Sequence, residues 1–273
     1  MSDLAPHHEH RPSPRLAAVV ERAVGYRLTG YPPGVHVGMP STTVTLVIPL
    51  EEPLTLSDPV MGGPRPFGSV IAGLAAAPTW IHHDGSQHGL QLALRPLGVR
   101  ALFGCPAADL AGSSYELADL LGPGATRLRE RLHEIDSWQG RFALVEEMLV
   151  RLVHAGGVGR GPEPEVAEAW RLIGASGGVL PIGEVAERVG WSRRRLQTRF
   201  GAELGVTPKS AAVVRRFERS VPLVATGGSS LADVAVRCGW SDHAHMDRDW
   251  RALAGAAPSR WRAEDALHDT GSR

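Results

Sequence analysis

The side chains best suited to binding chemistry follow a Gly-Trp-Ser sequence in the C-terminal part of the chain. Arg194 and Gln197 are spaced so that both lie on one face of a helix. An arginine can form paired hydrogen bonds with guanine, and a glutamine can do so with adenine. Arg193 and Arg195 would suit phosphate oxygens instead, although an arginine run is also typical of a solvated helix face. Both interpretations require a helix that exposes these residues.

The segment that contains these residues occurs twice. Residues 182–208 and 231–258 align with one extra residue after the second Gly-Trp-Ser, and nine aligned pairs are identical. Chance would give about two identities at ordinary amino-acid frequencies. The pairs are Val185/Val234, Ala186/Ala235, Arg188/Arg237, Gly190/Gly239, Trp191/Trp240, Ser192/Ser241, Ala202/Ala252, Gly205/Gly255 and Pro208/Pro258. The duplication predicts two copies of one structural unit.

Each copy has the composition of a helix-turn-helix. In the first copy, Ala186 allows two helices to approach closely, and Gly190 can adopt the positive φ of a sharp turn. Ser192, with Ser241 as its counterpart, is suited to cap the second helix. The second helix would bury one face and present its N-terminal residues to a DNA major groove.

Helical spacing separates a buried stripe from an outer face in each second helix. Leu196 and Phe200 form the predicted stripe in the first copy, and Met246 and Trp250 form it in the second. The outer residues are Arg193, Arg194, Gln197 and Thr198 in the first copy, and His243, Ala244, Asp247 and Arg248 in the second. Asp247 could accept a hydrogen bond from cytosine, but we favour pairing with Arg248 or Arg251 on the same helix.

Together the two copies resemble the AraC/XylS family of bacterial transcription regulators over roughly residues 165–264. The resemblance is carried by G-W-S-x-x-x-L-x-x-x-F from Gly190 to Phe200 and by R-C-G-W-S-D…R-x-W-R-x-x-x-G-x-x-P-x-x-W-R from Arg237 to Arg262. It implies an all-α domain in which a linker helix, at about residues 208–225, joins two helix-turn-helix subdomains on double-stranded DNA. The base-reading positions that it implies are Arg194, Gln197, Thr198, His243, Ala244, Asp247 and Arg248.

The expected phosphate contacts lie at the first recognition helix and on the linker helix. They are Ser192, Arg193, Arg195, Arg215 and Arg216. Arg219 shares the linker helix, and for all three of its arginines a plain surface role is the alternative. Pro222 falls inside this helix, where it removes one hydrogen bond, so we expect it to kink or shorten the helix.

Residues 16–155 predict a separate domain of mixed structure. Runs of β-favouring residues at 42–50, 69–74 and 89–94 are followed by leucines at helical spacing after Ser113. The predicted fold class is therefore α+β, with a β-rich N-terminal domain closed by helices and then an all-α domain. A cupin-like barrel, which family members often carry in this place, is compatible. We expect a disordered tail at 1–15, a flexible linker at 156–164 and a C-terminal tail at 265–273.

Residues 94–122 resemble a segment of uncharacterised AraC-like regulators, R-P-G-G-A-x-x-F-G-x-P-A-x-E-L…L-x-x-L-L-G, with Leu97-Gly98-Val99 in place of Gly-Gly-Ala. By the family likeness, the first domain would sense a small-molecule effector, form a homodimer, or do both. The likeness also implies contact with RNA polymerase. The sequence identifies no effector.

Charge and hydropathy narrow the class of protein. The chain is neutral overall, but residues 1–164 carry a net charge of −3 and residues 165–273 one of +3. An excess of this size is a weak footprint for nucleic acid, so the positions of the charges matter more than their sum. No apolar run approaches the ~20 residues of a membrane span, and the polar start lacks the apolar region of a secretory signal. We therefore expect a cytoplasmic protein without membrane contact.

An alternative is a sensor enzyme that binds a metal or accepts an alkyl group on Cys105, with DNA binding as its readout. The histidines that suggest a metal are His36, His82, His83 and His88, but they lack cupin ligand spacing, and a polar hairpin loop would account for the last three. Cys105 in an apolar FGCPA setting is better explained as structural. We expect no metal, cofactor or enzymatic activity, and we predict a sequence-specific DNA-binding transcription regulator.

Overall fold

The computed structural model describes residues 7–156 and 161–264, which form two compact units. The first unit comprises the residues up to 35, 43–74 and 80–161, and the second comprises 36–42, 75–79 and the residues from 162 onward. The predicted α+β class is confirmed. The expected domain of residues 16–155 needs a correction, because two of its short segments belong to the second unit. Within that unit, Thr42 donates its backbone N–H and its hydroxyl to Glu218 at 2.7 Å each.

The described residues contain ten strands, which form two antiparallel sheets. The strands are β1 His8–His10, β2 Val20–Leu28, β3 Gly34–Gly38, β4 Val44–Pro49, β5 Leu54–Ser57, β6 Arg65–Phe67, β7 Val70–Ala72, β8 Thr79–His83, β9 Gln87–Leu94 and β10 Ser114–Glu116. The six-stranded sheet has the order β1-β2-β9-β4-β7-β10, and the four-stranded sheet has the order β3-β8-β5-β6. The three predicted β-runs correspond to β4, β7 and β9.

Helix α1 precedes β10, and the other helices follow the strands, as the leucine spacing after Ser113 predicts. The first unit has α1 Val99–Phe103, α2 Leu117–Leu121, α3 Pro123–His133 and α4 Trp138–Ala155. The second has α5 Pro164–Ala175, α6 Ile182–Arg188, α7 Arg193–Leu204, α8 Pro208–Thr226, α9 Leu231–Cys238, α10 His243–Ala254 and α11 Pro258–Glu264. Helix α8 is the expected linker helix, and it continues past Pro222 to Thr226, so the expected shortening is wrong. Among the described residues, no helix is both long and apolar enough to cross a membrane.

Strand β4 lies inside the six-stranded sheet and is buried on both faces. Val47 packs with Leu56 and Phe67 in a core that joins the two sheets. Alternation places Leu46 on the opposite face, where it is fully buried. Gly25 on β2 belongs to this second face, and a Cβ atom there would approach the Trp138 ring of α4 to 2.3 Å. The missing side chain therefore allows a helix to cover the sheet.

Two expectations for the first unit are wrong. His8–His10 form strand β1 against β2, so the predicted tail does not extend through residue 15. The residues 82–88 do not form a hairpin, because β8 and β9 belong to different sheets and carry the three histidines themselves. The other expected tail and linker residues at 1–6, 157–160 and 265–273 lie outside the described residues.

The second helix-turn-helix packs on the linker helix through an aromatic core. Phe217 of α8 and Trp250 of α10 meet edge to face with ring centroids 4.9 Å apart. The Trp250 indole N–H donates to the Ser220 hydroxyl at 3.0 Å, and that hydroxyl donates to the Phe217 carbonyl at 2.7 Å. The buried Trp250 indole N–H and the buried Ser220 hydroxyl are thus both hydrogen-bonded, and they link α10 to α8.

Candidate nucleic-acid interface

Helices α6 and α7 form the first helix-turn-helix. Gly190 between them has a φ of 71°, and Ser192 caps α7 by accepting a hydrogen bond from the Arg195 N–H at 3.2 Å. The Trp191 N–H donates to the Ala186 carbonyl at 2.9 Å and closes the turn. The turn glycine and the cap predicted for this copy are confirmed.

The predicted base-reading residues of α7 share its exposed face. Arg194, Gln197 and Thr198 are exposed, while Leu196 and Phe200 are fully buried on the other side. The Thr198 hydroxyl donates to the Arg194 carbonyl at 3.0 Å, which leaves its oxygen as an acceptor. The face therefore offers donors from arginine and glutamine and an acceptor from threonine.

The predicted phosphate contacts of α7 gather at its first turn. Ser192, Arg193 and Arg195 are all exposed there. The Arg195 guanidinium lies 4.7 Å from the centre of the Trp191 ring, a cation–π contact that restrains the side chain. A helix N-terminus attracts anions through its backbone N–H groups and its dipole, so this turn is suited to phosphate.

Helices α9 and α10 form the second helix-turn-helix, and its cap differs from the prediction. Gly239 has a φ of 91°, and the Trp240 N–H donates to the Ala235 carbonyl at 2.9 Å. The cap is Asp242, which accepts from the His245 N–H at 2.7 Å, so the expectation for Ser241 is wrong. The extra residue in the alignment lengthens the turn and places an aspartate at the cap. That hydrogen bond and one from the Ser241 side chain lower the pKa of Asp242.

Three of the four predicted reading residues of α10 are exposed, namely His243, Ala244 and Arg248. The fourth, Asp247, has a side chain that is only 20% exposed and lies between the side chains of His243 and Arg251. It is 3.1 Å from His243 and 3.2 Å from Arg251. The favoured pairing of Asp247 is confirmed for Arg251. The Asp247 carboxylate is therefore already paired with residues of its own helix.

The two recognition helices differ in charge where they would approach DNA. The first turn of α7 carries Arg193, Arg194 and Arg195 behind a neutral serine cap. Helix α10 begins behind an acidic cap, Asp242, and its arginines alternate with aspartates. Since lysine and arginine supply the attraction to DNA phosphates, α7 is the more strongly attracted of the two.

The arginines of the linker helix are engaged within the protein to different degrees. The predicted phosphate contact of Arg216 is not supported, because its side chain is 16% exposed and its guanidinium lies 5.7 Å from the centre of the Trp240 ring. It donates to the Gly239 carbonyl at 3.2 Å, and burial lowers its pKa. Arg215 is more exposed and pairs with Glu218 at 3.2 Å. A phosphate contact of Arg215 stays a prediction.

Sequence reasoning missed what Arg219 does. Its two terminal nitrogens donate to the carbonyls of Gly177 and Arg237, each at 3.3 Å. Gly177 lies in the loop between α5 and α6, 42 residues away along the chain, and Arg237 lies at the C-terminal end of α9, 18 residues away. The local pattern shows a surface arginine and carries no signal for backbone partners this distant.

A polar and aromatic cluster in the first unit was also missed. The His88 ring has its Nδ1 2.8 Å from Glu51 and its Nε2 3.2 Å from Arg141, while the Arg141 guanidinium lies 5.0 Å from the centre of the Trp138 ring. A neutral imidazole satisfies both contacts, because Nδ1–H can donate to the carboxylate and Nε2 can accept from the guanidinium. Burial lowers the pKa of His88 in agreement with this.

The structure shows the surroundings of the histidines and of Cys105, on which the sensor-enzyme alternative rests. Across residues 7–156 and 161–264, no three or more histidine, cysteine, aspartate and glutamate side chains are grouped as a metal ion would require. His82 is hydrogen-bonded to the Ser57 hydroxyl at 2.8 Å. Burial raises the pKa of Cys105, which lowers the fraction of reactive thiolate.

Comparison with known proteins matches both parts of the chain. Residues 185–264 match the family described as "Helix-turn-helix domain", and residues 8–116 match "Domain of unknown function (DUF6597)". The HTH-type transcriptional regulator CdhR of Pseudomonas aeruginosa is 31% identical over 80 residues, which are 29% of this chain and 24% of that protein. The chain thus spans 24% of the length of this curated relative.

Solved structures extend the likeness of fold over most of the chain. ToxT from Vibrio cholerae O395 has a TM-score of 0.51 at 10% identity, covering 90% of this chain and 98% of that one. ToxT of V. cholerae strain SCE256 with a bound unsaturated fatty acid has a TM-score of 0.52 at 13% identity, covering 93% and 96%. Residues 185–264, which hold most of the duplicated helix-turn-helix, thus match a helix-turn-helix domain family, and residues 8–116, which precede them, match the DUF6597 family.

Proposed function

We propose that the protein is a sequence-specific DNA-binding transcription regulator that reads two successive major-groove segments with α7 and α10. The observation that carries the proposal is the duplicated helix-turn-helix, in which each second helix buries one stripe and exposes its N-terminal residues. Two such helices in one chain match the docking of helix-turn-helix proteins on one face of a duplex.

In this proposal α7 and α10 make different contributions to DNA binding. Arg194, Gln197 and Thr198 read bases in the first segment, and His243, Ala244 and Arg248 face the second. Ser192, Arg193 and Arg195 hold phosphates next to the first segment. Because α7 carries the stronger positive charge, it supplies most of the affinity, while α10 adds selectivity.

Selection from a random duplex DNA library with the purified full chain tests the proposal. We expect one enriched sequence that contains two half-sites about one helical turn apart. Gln197→Ala should change the bases enriched in one half-site, whereas Arg171→Ala, which removes an exposed arginine paired with Glu168 on α5, should leave the sequence unchanged. A pool without enrichment after repeated rounds would contradict a sequence-specific role.

For the first unit, we propose binding of a small-molecule effector. Support comes from ToxT, which shares the fold and has been solved with an unsaturated fatty acid bound. Oleic acid at increasing concentration should raise the unfolding temperature through mass action if this ligand class binds. Oleyl alcohol, which has the same unsaturated chain but no carboxylate, is the matched ligand control.

We further propose that the chain forms a homodimer and contacts RNA polymerase on DNA. Sedimentation at several protein concentrations should show a concentration-dependent dimer. Transcription in vitro from a template with the selected sequence should respond to the protein, in either direction. A strict monomer, or transcription unaffected by the bound protein, would remove the corresponding part of the proposal.

A further inference from the structure

In addition to the covalent linker, a set of contacts joins the two helix-turn-helix subdomains. Arg216 and Arg219, one turn apart on α8 and here named the bridging arginines, donate to backbone carbonyls of the second helix-turn-helix subdomain. The acceptors are Gly239 for Arg216, at 3.2 Å, and Arg237 for Arg219, at 3.3 Å. Both carbonyls lie at the C-terminal end of α9, where the last carbonyls of a helix have no partner within the helix.

Arg219 also contacts the first helix-turn-helix subdomain through the same guanidinium. Its other terminal nitrogen donates to the carbonyl of Gly177, in the loop between α5 and α6. One planar side chain therefore links the α5–α6 loop and the C-terminal end of α9 to α8. A lysine could not reproduce this, because its single ammonium group lacks the two diverging nitrogens.

The α5–α6 loop, which Arg219 contacts at Gly177, lies against both α8 and the turn between α9 and α10. Gly178 has a φ of 78°, and a Cβ atom on it would lie 2.2 Å from the Ala212 carbonyl oxygen of α8. A Cβ atom on Gly239 would lie 2.5 Å from the Val179 side chain. These two glycines permit close approach, so the α5–α6 loop touches the turn that precedes α10.

We propose that the bridging arginines, and Arg219 above all, fix the distance and rotation between α7 and α10 and so set the half-site spacing that the protein reads. The inference rests on the proposed function and names Arg219 as a positioning residue rather than a DNA contact. Inserting one base pair between half-sites moves the second by about 3.4 Å and rotates it by about 35°. A rigid pair of helices cannot follow such a change.

The first test measures the two helices without DNA. Spin labels at Gln197→Cys and Arg248→Cys, in a Cys105→Ser background, report the distance between α7 and α10 by pulsed electron paramagnetic resonance. We expect a narrow distance distribution for the parent chain and a broader one after Arg219→Lys, which keeps the charge but not the bridge. A parent distribution as broad as that of Arg219→Lys would overturn the proposal, whether or not any DNA sequence is preferred.

The second test uses the selected DNA sequence with zero, one or two base pairs inserted between its half-sites. The parent chain should lose roughly tenfold or more in affinity on the first insertion, as expected when one half-site's base contacts are lost. Arg219→Ala and Arg219→Lys should lose less than about threefold on that insertion. Arg237→Ala is the matched control, because it removes a nearby exposed charge and retains the carbonyl that Arg219 binds; it should keep the parental spacing penalty.

The outcomes separate this inference from the proposed function. Failure to select any sequence would overturn the proposed function, while the distance measurement would still decide the rigidity of the pair. If the parent chain binds all spacings equally, the spacing role is wrong. The spacing role is also wrong if Arg219→Ala weakens all spacings alike and lowers the salt slope by about one, since that is the signature of a phosphate contact.

Discussion

At the scale of single residues, some of the predicted DNA-contacting side chains are exposed, and others make contacts within the protein. Arg194 and Gln197 project from α7 opposite the buried Leu196. Arg216 carries the same guanidinium group as Arg194, but it packs against the Trp240 ring. Residue type predicted all three as DNA contacts, and only the environment distinguishes them.

Replacing Arg194 should change specificity as well as affinity. Arg194→Ala is expected to cost about 1 to 3 kcal/mol at one base pair and to relax the preference there, because a bidentate base contact is lost. Arg193→Ala should instead weaken all sequences alike and lower the salt slope by about one, as loss of a phosphate contact does. Binding to the selected site and its single-base variants, at several salt concentrations, measures both effects. Equal loss on every variant after Arg194→Ala would exclude a base-reading role.

His88 should make the stability of the first unit depend on pH. Its pKa is lowered from 6.5, chiefly by burial. As the pH falls through 6.5 and below, His88 takes up a proton more readily in the unfolded chain than in the folded chain, so the free energy of unfolding decreases. The charges around the ring are Glu51, Arg141 and Arg27.

Thermal unfolding at about pH 7.5 and about pH 5.5 checks this expectation. The unfolding temperature should be lower at the acidic pH, and His88→Gln should reduce the difference. Part of it should remain, because the pKa of His7 is also lowered, chiefly by burial. A variant with the full parental pH dependence would show that His88 is not responsible.

At the scale of elements, stability and recognition are assigned to opposite faces of one helix. Helix α7 buries Leu196 and Phe200 completely and leaves Gln197 exposed. Large-to-small changes in a core remove transfer free energy and leave a cavity, whereas surface changes do neither.

Neighbouring positions on α7 should therefore give opposite results. Leu196→Ala is expected to lower the free energy of unfolding by about 2 to 5 kcal/mol. Gln197→Ala should change it by less than about 0.5 kcal/mol and yet reduce DNA binding. Denaturant unfolding and binding measured on both variants make the comparison. Normal stability after Leu196→Ala would contradict its place in the core.

Pro222 offers a second test at this scale, since it lies exposed within α8. A proline inside a helix costs about 3 kcal/mol, and its stiffening of the unfolded chain returns up to about 1 kcal/mol. Pro222→Ala should thus raise the free energy of unfolding by roughly 2 kcal/mol. Denaturant unfolding decides the matter, and a destabilised variant would mean that α8 depends on a bend at this residue.

At the scale of the whole molecule, sequence was most informative where contacts are local. The repeat predicted both turns, because glycine, cap and buried stripe lie within a few residues of each other. The sequence pattern could not predict strand β1. Its polar residues His8–His10 have partners that are distant along the chain, such as Glu146, which lies 136 residues from His10. The acceptors of Arg219 were hidden for the same reason. The Asp242 cap was different, since the one-residue insertion was a visible local signal.

The arrangement of both recognition helices in one unit predicts the size of the footprint. A single chain should protect two major-groove segments whose centres are about 34 to 36 Å apart on one face of the duplex. Hydroxyl-radical footprinting of the selected DNA at low protein concentration measures this. Protection confined to one segment would show that only one recognition helix engages.

The aromatic core of the second helix-turn-helix gives the chain a built-in optical reporter. Trp240, Trp250 and Trp261 are all buried there, and the chain has seven tryptophans in total. Water reaching these indoles would shift their emission to longer wavelength, so fluorescence can follow the opening of this subdomain without an attached dye. The same light signal would reveal whether the DNA-binding unit loosens when the first unit is given a ligand.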